Sequence, residues 1–135
     1  MTADTLSSML NAELEAGELL AEALDCQRRA LIERDLDRIS RITGVLEGQM
    51  EHFTALVERR IKAVEAAGGA LNEDCAELLE RIRRTERRVL RLAELNQELI
   101  ADRLAYVGAM LSTIGMTGPA GYGADTASAT VSRSA

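Results

Sequence analysis

An all-α fold, built as an up-down-up antiparallel three-helix hairpin or coiled-coil bundle with a disordered C-terminal tail, follows from three observations. From Leu71 to Ile114 an apolar residue recurs every three or four positions, through Leu71, Cys75, Leu78, Ile82, Val89, Leu92, Leu99, Tyr106, Met110 and Ile114. Thr85, Asn96 and Arg103 fill the remaining seam positions. That spacing is a helical period close to 3.5 residues per turn. Second, β-branched residues are sparse and never alternate with polar ones, which argues against a sheet. Third, Gly68-Gly69 and the single proline, Pro119, punctuate the chain only at its expected turns and tail.

The first helix is expected to start at an Asp4 or Thr5 cap and to run to about Glu33. Its apolar stripe is Leu6, Leu10, Leu14, Gly17, Leu20, Leu24 and Leu31, with Glu13, Glu15, Glu18 and Glu22 assigned to the wet face. A break is placed at Arg34-Asp35-Leu36-Asp37 although it holds no Gly or Pro. Asp35 or Asp37 can cap a new helix, and an unbroken helix of about 60 residues would leave much of its stripe uncovered. The second helix is then expected over 36–67, with Leu36, Ile39, Ile42, Leu46, Met50, Phe53, Val57, Ile61 and Val64 as its stripe. Gly44 and Gly48 lie inside it and each costs about 1 kcal/mol against Ala. Either they allow close helix approach or they are simply tolerated. Gly68-Gly69 supplies the left-handed C-cap. Asn72 caps the third helix, over 72–114, with Glu73 and Asp74 in its favourable first turn. Short connections make neighbours antiparallel.

The third helix exceeds the other two by about ten residues. If the three pack side by side, about 16 Å of it projects past its partners, and that part carries Val107, Met110, Leu111 and Ile114. Apolar surface without an internal partner is surface for another molecule. After Ile114 the composition turns to Gly, Ser, Thr and Ala, so 115–135 reads as a flexible tail with Tyr122 as its one bulky residue.

Composition narrows the function. Of a net charge of −6, residues 1–35 carry −5, residues 36–67 are balanced, and residues 68–114 carry −1. An acidic chain is a poor nucleic-acid binder. The N-terminus has neither a basic nor an apolar leader region, and no stretch approaches 18 apolar residues, so neither a secretory signal nor membrane insertion is expected. Cys26 and Cys75 are far apart in helical patterns and read as two free thiols in a reducing compartment.

His52 is the only histidine, and neither cysteine belongs to a metal-ligand pair. No Glu-x-x-His pair, catalytic triad, phosphate loop or nucleophile elbow is present, so no enzyme, no catalytic residue, no metal and no cofactor is expected. Arg81, Arg83, Arg84, Arg87, Arg88 and Arg91 form a dense basic cluster. It reads either as a dock for an acidic partner or as a solvated face paired through Glu77–Arg81, Glu80–Arg84 and Glu80–Arg83, with the balance toward the second. Asn96 and Arg103 are polar on an apolar seam. Such residues set register, or mark where the helix leaves its bundle for something else. Both readings stand for Asn96, and the second is favoured for Arg103.

The segment Ala30-Leu-Ile-Glu-Arg-Asp-Leu-Asp-Arg-Ile-Ser-Arg-Ile and then Leu56-Val-Glu-Arg-Arg resemble the first two helices of the FlgN-type flagellar export chaperones. Leu92-Ala-Glu-Leu-Asn-Gln-Glu-Leu-Ile-Ala-Asp-Arg-Leu-Ala-Tyr-Val is similar to their third helix, and Gly121-Tyr122-Gly123 to their tail. The likeness runs from about residue 5 to 123. The chain departs from the family pattern at Glu98 or Leu99, where a second Asn is common, and near Gly48, where a Lys is common. The resemblance implies a cytoplasmic chaperone of flagellar type III secretion. Such a chaperone binds the C-terminal helical ends of hook-associated proteins, prevents premature assembly and delivers them to export gate components. On this reading Leu92, Leu95, Leu99, Tyr106, Val107, Met110, Leu111 and Ile114 provide apolar contact, Asn96 and Arg103 set register, and Tyr122 is a tail anchor. The competing reading is a structural coiled-coil protein that forms a homo-oligomer through the same stripe.

Overall fold

The computed structural model describes residues 3–115. Three helices account for nearly all of them: α1 (Ala3–Glu33), α2 (Leu36–Ala66) and α3 (Glu73–Thr113). The chain divides into two compact units, the first ending at Asn96 and the second beginning at Gln97.

In the first unit each turn has a local cause. α1 ends with Arg34 in the left-handed region, at φ 58°. The Arg34 N–H donates to the Leu31 carbonyl (3.3 Å) and the Asp35 N–H to the Ala30 carbonyl (3.0 Å), the paired closure of a Schellman end. Asp35 then caps α2 by accepting from the Arg38 N–H at 3.2 Å. One residue thus closes a helix with its backbone and opens the next with its side chain, which is why no Gly or Pro is needed. The end of α2 repeats the closure with glycine. Gly68 and Gly69 have φ of 70° and 78°, and their N–H groups reach the Glu65 and Val64 carbonyls at 2.9 and 3.1 Å. Asn72 opens α3, its Oδ1 accepting from the Cys75 N–H at 2.8 Å.

The core of the first unit shows the up-down-up order directly. Leu6, Leu10 and Leu14 of α1 pack with Ala63 near the end of α2 and with Cys75 and Ile82 near the start of α3. Ala16, Leu20 and Leu24 pack with Leu46 and Phe53 of α2 and, further along α3, with Val89 and Leu92. So α2 runs against α1, and α3 runs with it. The helices approach closely at Gly17, where an added Cβ would sit 2.9 Å from Thr85 Cγ2 and 3.0 Å from Phe53 Cε1. Gly44 and Gly48 face open space, so they serve no close approach and are only tolerated.

Two expectations are corrected. Glu13 is not on the wet face: its exposure is 0 %. Walking α1 by alternate steps of four and three (6, 10, 13, 17, 20, 24) puts Glu13 in the seam, and Arg60 of α2 makes that place tenable. The α2 stripe is also narrower than its apolar residues suggest. Leu46 and Phe53 are buried, but Leu36 (78 % exposed), Met50 and Ile61 face solvent. The buried line passes one position to the side of Met50 and Ile61, through the half-buried Gln49 and Arg60.

Candidate partner-binding site

Polar groups inside the first unit hold its helices in register. Arg60 Nε donates to both Glu13 carboxylate oxygens at 2.9 and 3.0 Å, and its guanidinium reaches Glu86 of α3 at 3.4 Å. One cation therefore ties all three helices. Burial pushes the Glu13 carboxyl above its ordinary range, against the pull of the Arg60 hydrogen bond and charge. Asn96, only 2 % exposed, donates through Nδ2 to the Leu24 carbonyl (2.9 Å) and to Gln27 Oε1 (2.8 Å). Its Oδ1 has no hydrogen-bond partner among the described residues. These bonds fix α3 against α1, so of the two readings of Asn96 the structure supports register. Leu92 and Leu95, just before it, are half-buried.

The second unit, from Gln97, is a single stretch of α3 over its described residues, closed by Gly115 at φ 78°. Leu99, Arg103 and Leu111 are half-buried, whereas Tyr106, Val107, Met110 and Ile114 are exposed. Two further apolar residues, Ile100 and Leu104 (63 % exposed), join this surface and were not anticipated. Ile100, Leu104, Val107, Leu111 and Ile114 follow steps of four, three, four and three and so share one helical face. Counted at 3.5 per turn from Leu71, the seam runs instead through Leu99, Arg103, Tyr106 and Met110, because a straight helix drifts about 20° per heptad from that count and the drift accumulates along α3. A 3.6 count from Leu71 falls on Ile100, Val107, Leu111 and Ile114 and passes within one residue of Leu104.

No charged residue occurs from Leu104 to Ile114. Recognition by this stretch therefore rests on apolar contact and shape, not on ion pairs. Tyr122 lies outside the described residues. Among the described residues no group of three or more His, Cys, Asp or Glu could hold a metal ion, and no helix is long and apolar enough to cross a membrane. Cys26 and Cys75 are free thiols.

The arginine cluster is outward. Arg81, Arg83, Arg84, Arg87, Arg88 and Arg91 are all exposed. Of the expected pairings, Glu80–Arg83 is present at 4.0 Å, and Glu80 also reaches Arg87 at 3.9 Å.

Comparison with protein families matches residues 1–129 to the model described as FlgN protein. No curated protein and no solved structure matches the chain. The family match spans nearly the whole sequence and all three helices, and the chain belongs to the FlgN family of flagellar export chaperones.

Proposed function

We propose that this chaperone acts in the cytoplasm on the C-terminal helical ends of hook-associated proteins, keeps them from assembling early and delivers them to components of the flagellar export gate. The observation that carries the reading is the exposed, charge-free helical surface of Leu104, Val107, Met110 and Ile114. An amphipathic client helix would lay its apolar face on these residues, with Leu92, Leu95, Leu99, Tyr106 and Leu111 extending the contact, Arg103 setting its register, and Tyr122 anchoring the tail, while Asn96, expected to share the register role, is buried against α1 and does not reach a client.

Magnitudes limit how the contact works. Covering the remaining half of each exposed aliphatic side chain is worth about 1 kcal/mol. The five such residues, Ile100, Leu104, Val107, Met110 and Ile114, give about 5 kcal/mol, which association costs of about 4–15 kcal/mol largely offset. The apolar end alone therefore supplies weak affinity, and a releasable client is the natural consequence. The half-buried leucines and the tail tyrosine have to contribute if binding is tight.

The test is Met110→Asp with Ile114→Asp, titrated calorimetrically with a peptide spanning the C-terminal helix of a hook-associated protein. Affinity should fall more than about tenfold while circular dichroism stays helical. Unchanged affinity in a helical double variant removes the proposal. Light scattering with and without the peptide tests the competing use of the surface. A chaperone exchanges any self-contact for a one-to-one complex, whereas a structural coiled coil stays oligomeric and ignores the peptide.

A further inference from the structure

We infer that the outward face of α3 from Arg81 to Arg91 is a second docking surface, built for an acidic helical segment of a partner protein. Within a chain of net charge −6, these eleven residues carry six arginines and one acid, Glu86. Glu86 is engaged on its other side by Arg60. All six arginines are exposed. Glu80 approaches Arg83 and Arg87 only at 4.0 and 3.9 Å, and among the described residues Arg81, Arg84, Arg88 and Arg91 have no carboxylate within ion-pair distance. Arg29, by contrast, is matched on its own helix by Asp25 at 2.7 Å, and the half-buried Arg38 is matched by Glu33. A solvated face balanced by its own helix would look like those pairs. This one is left with an excess of guanidinium groups.

Spacing and footprint select the partner. Arg84, Arg88 and Arg91 follow steps of four and three, a line about 10 Å long on a rigid helix. Carboxylates three and four residues apart on a second helix meet such a line pair by pair, and guanidinium groups bind carboxylates through two parallel bonds. The patch is narrow. Beside Arg81, the adjoining groove is walled by Glu15, Glu18 and Glu22 around Leu19. A duplex or a lipid surface spreads beyond one helix width and would bring its phosphates against that acidic wall, well inside a Debye length of about 8 Å. A single helix laid along Arg84, Arg88 and Arg91 spans less of that wall than a duplex or a lipid surface does. No aromatic residue lies between Phe53 and Tyr106 to stack a base. None of the six arginines is among the residues proposed for the apolar client contact, so the two surfaces fail or survive separately.

The experiment titrates the full chain with a fluorescent, alanine-based helical peptide carrying glutamates three and four residues apart. Binding should weaken about tenfold between 50 and 300 mM salt. It should also fall about tenfold or more in Arg84→Glu/Arg88→Glu/Arg91→Glu. It should persist in Arg34→Glu/Arg41→Glu/Arg59→Glu, which changes net charge equally at exposed arginines elsewhere. Equal losses in both triple variants, or none in either while circular dichroism stays helical, overturn the inference. Duplex DNA or phosphatidylglycerol vesicles binding as tightly as the peptide overturn it as well. So does a salt-sensitive dimer abolished by the α3 variant, which would make a second copy the occupant.

Discussion

α3 carries the same apolar spacing in both compact units, yet the outcome differs. Up to Asn96 its seam residues Cys75 and Ile82 are covered by α1 and α2, and charged residues crowd the outward side. From Gln97 the seam continues, but Leu104, Tyr106, Val107, Met110 and Ile114 are exposed, and no charge occurs from Leu104 to Ile114. Periodicity says that a face is apolar. It does not say whether the chain itself covers that face. The loss of charge from the opposite side is the more telling sign, because an ordinary surface helix keeps a wet face to stay apart from its neighbours.

The contrast should break most visibly at the polar layer of the first unit. Glu13→Ala leaves the largely buried Arg60 guanidinium without its bidentate partner and should cost about 3–5 kcal/mol in urea unfolding. Glu13→Leu combined with Arg60→Met should recover most of that loss, because an apolar layer removes both desolvation costs. The same group shapes the pH response. Its folded pKa is raised, so the native state holds the proton more tightly than the unfolded chain does. Stability should decline as pH rises from 4.5 through the raised value, and Glu13→Gln should remove that slope in pH-dependent denaturation.

Leucine truncation sharpens the comparison. Leu10→Ala, inside the first unit, should cost about 3–5 kcal/mol. Leu104→Ala, on the exposed face of the second, should change the unfolding midpoint by less than about 0.5 kcal/mol. A large loss at Leu104 would mean that the resting protein already covers this face, most simply by self-association, which analytical ultracentrifugation would reveal.

The smallest effect separates glycines that look alike in the sequence. Gly48→Ala points into open space and should stabilise by about 1 kcal/mol. Gly17→Ala gains the same propensity but drives its methyl against Thr85 and Phe53, so it should be destabilising by about 1–2 kcal/mol net. Equal thermal shifts for the two would show that the three helices separate at Gly17 more readily than their packing implies.

The helices and their order were legible because each boundary is a local matter. Asp35, Gly68-Gly69 and Asn72 cap within a few residues of themselves, and apolar spacing repeats along each helix. The exposed apolar end was legible in part: Tyr106, Met110 and Ile114 follow from the seam and Val107 from the expected projecting end, while Ile100 and Leu104 lie to the side of the line that a count of 3.5 draws. Glu13 was misplaced because a carboxylate on an apolar seam is tenable only with a cation that lies 47 residues away in the chain. Met50 and Ile61 were misplaced because the line along which α2 meets its neighbours depends on how those neighbours approach.

By itself, then, the sequence determined what is decided by neighbours along the chain: three helices, the caps at Asp35 and Asn72 (though not the start of α1, which begins at Ala3 and so takes in the expected caps Asp4 and Thr5), their apolar stripes and a charge-free end. Only the tertiary structure decided which stripe residues are covered, that Gly17 is a close approach, that Arg60 neutralises Glu13, and that Asn96 binds α1. Those outcomes depend on groups brought together across tens of residues, where packing and desolvation outweigh local preference.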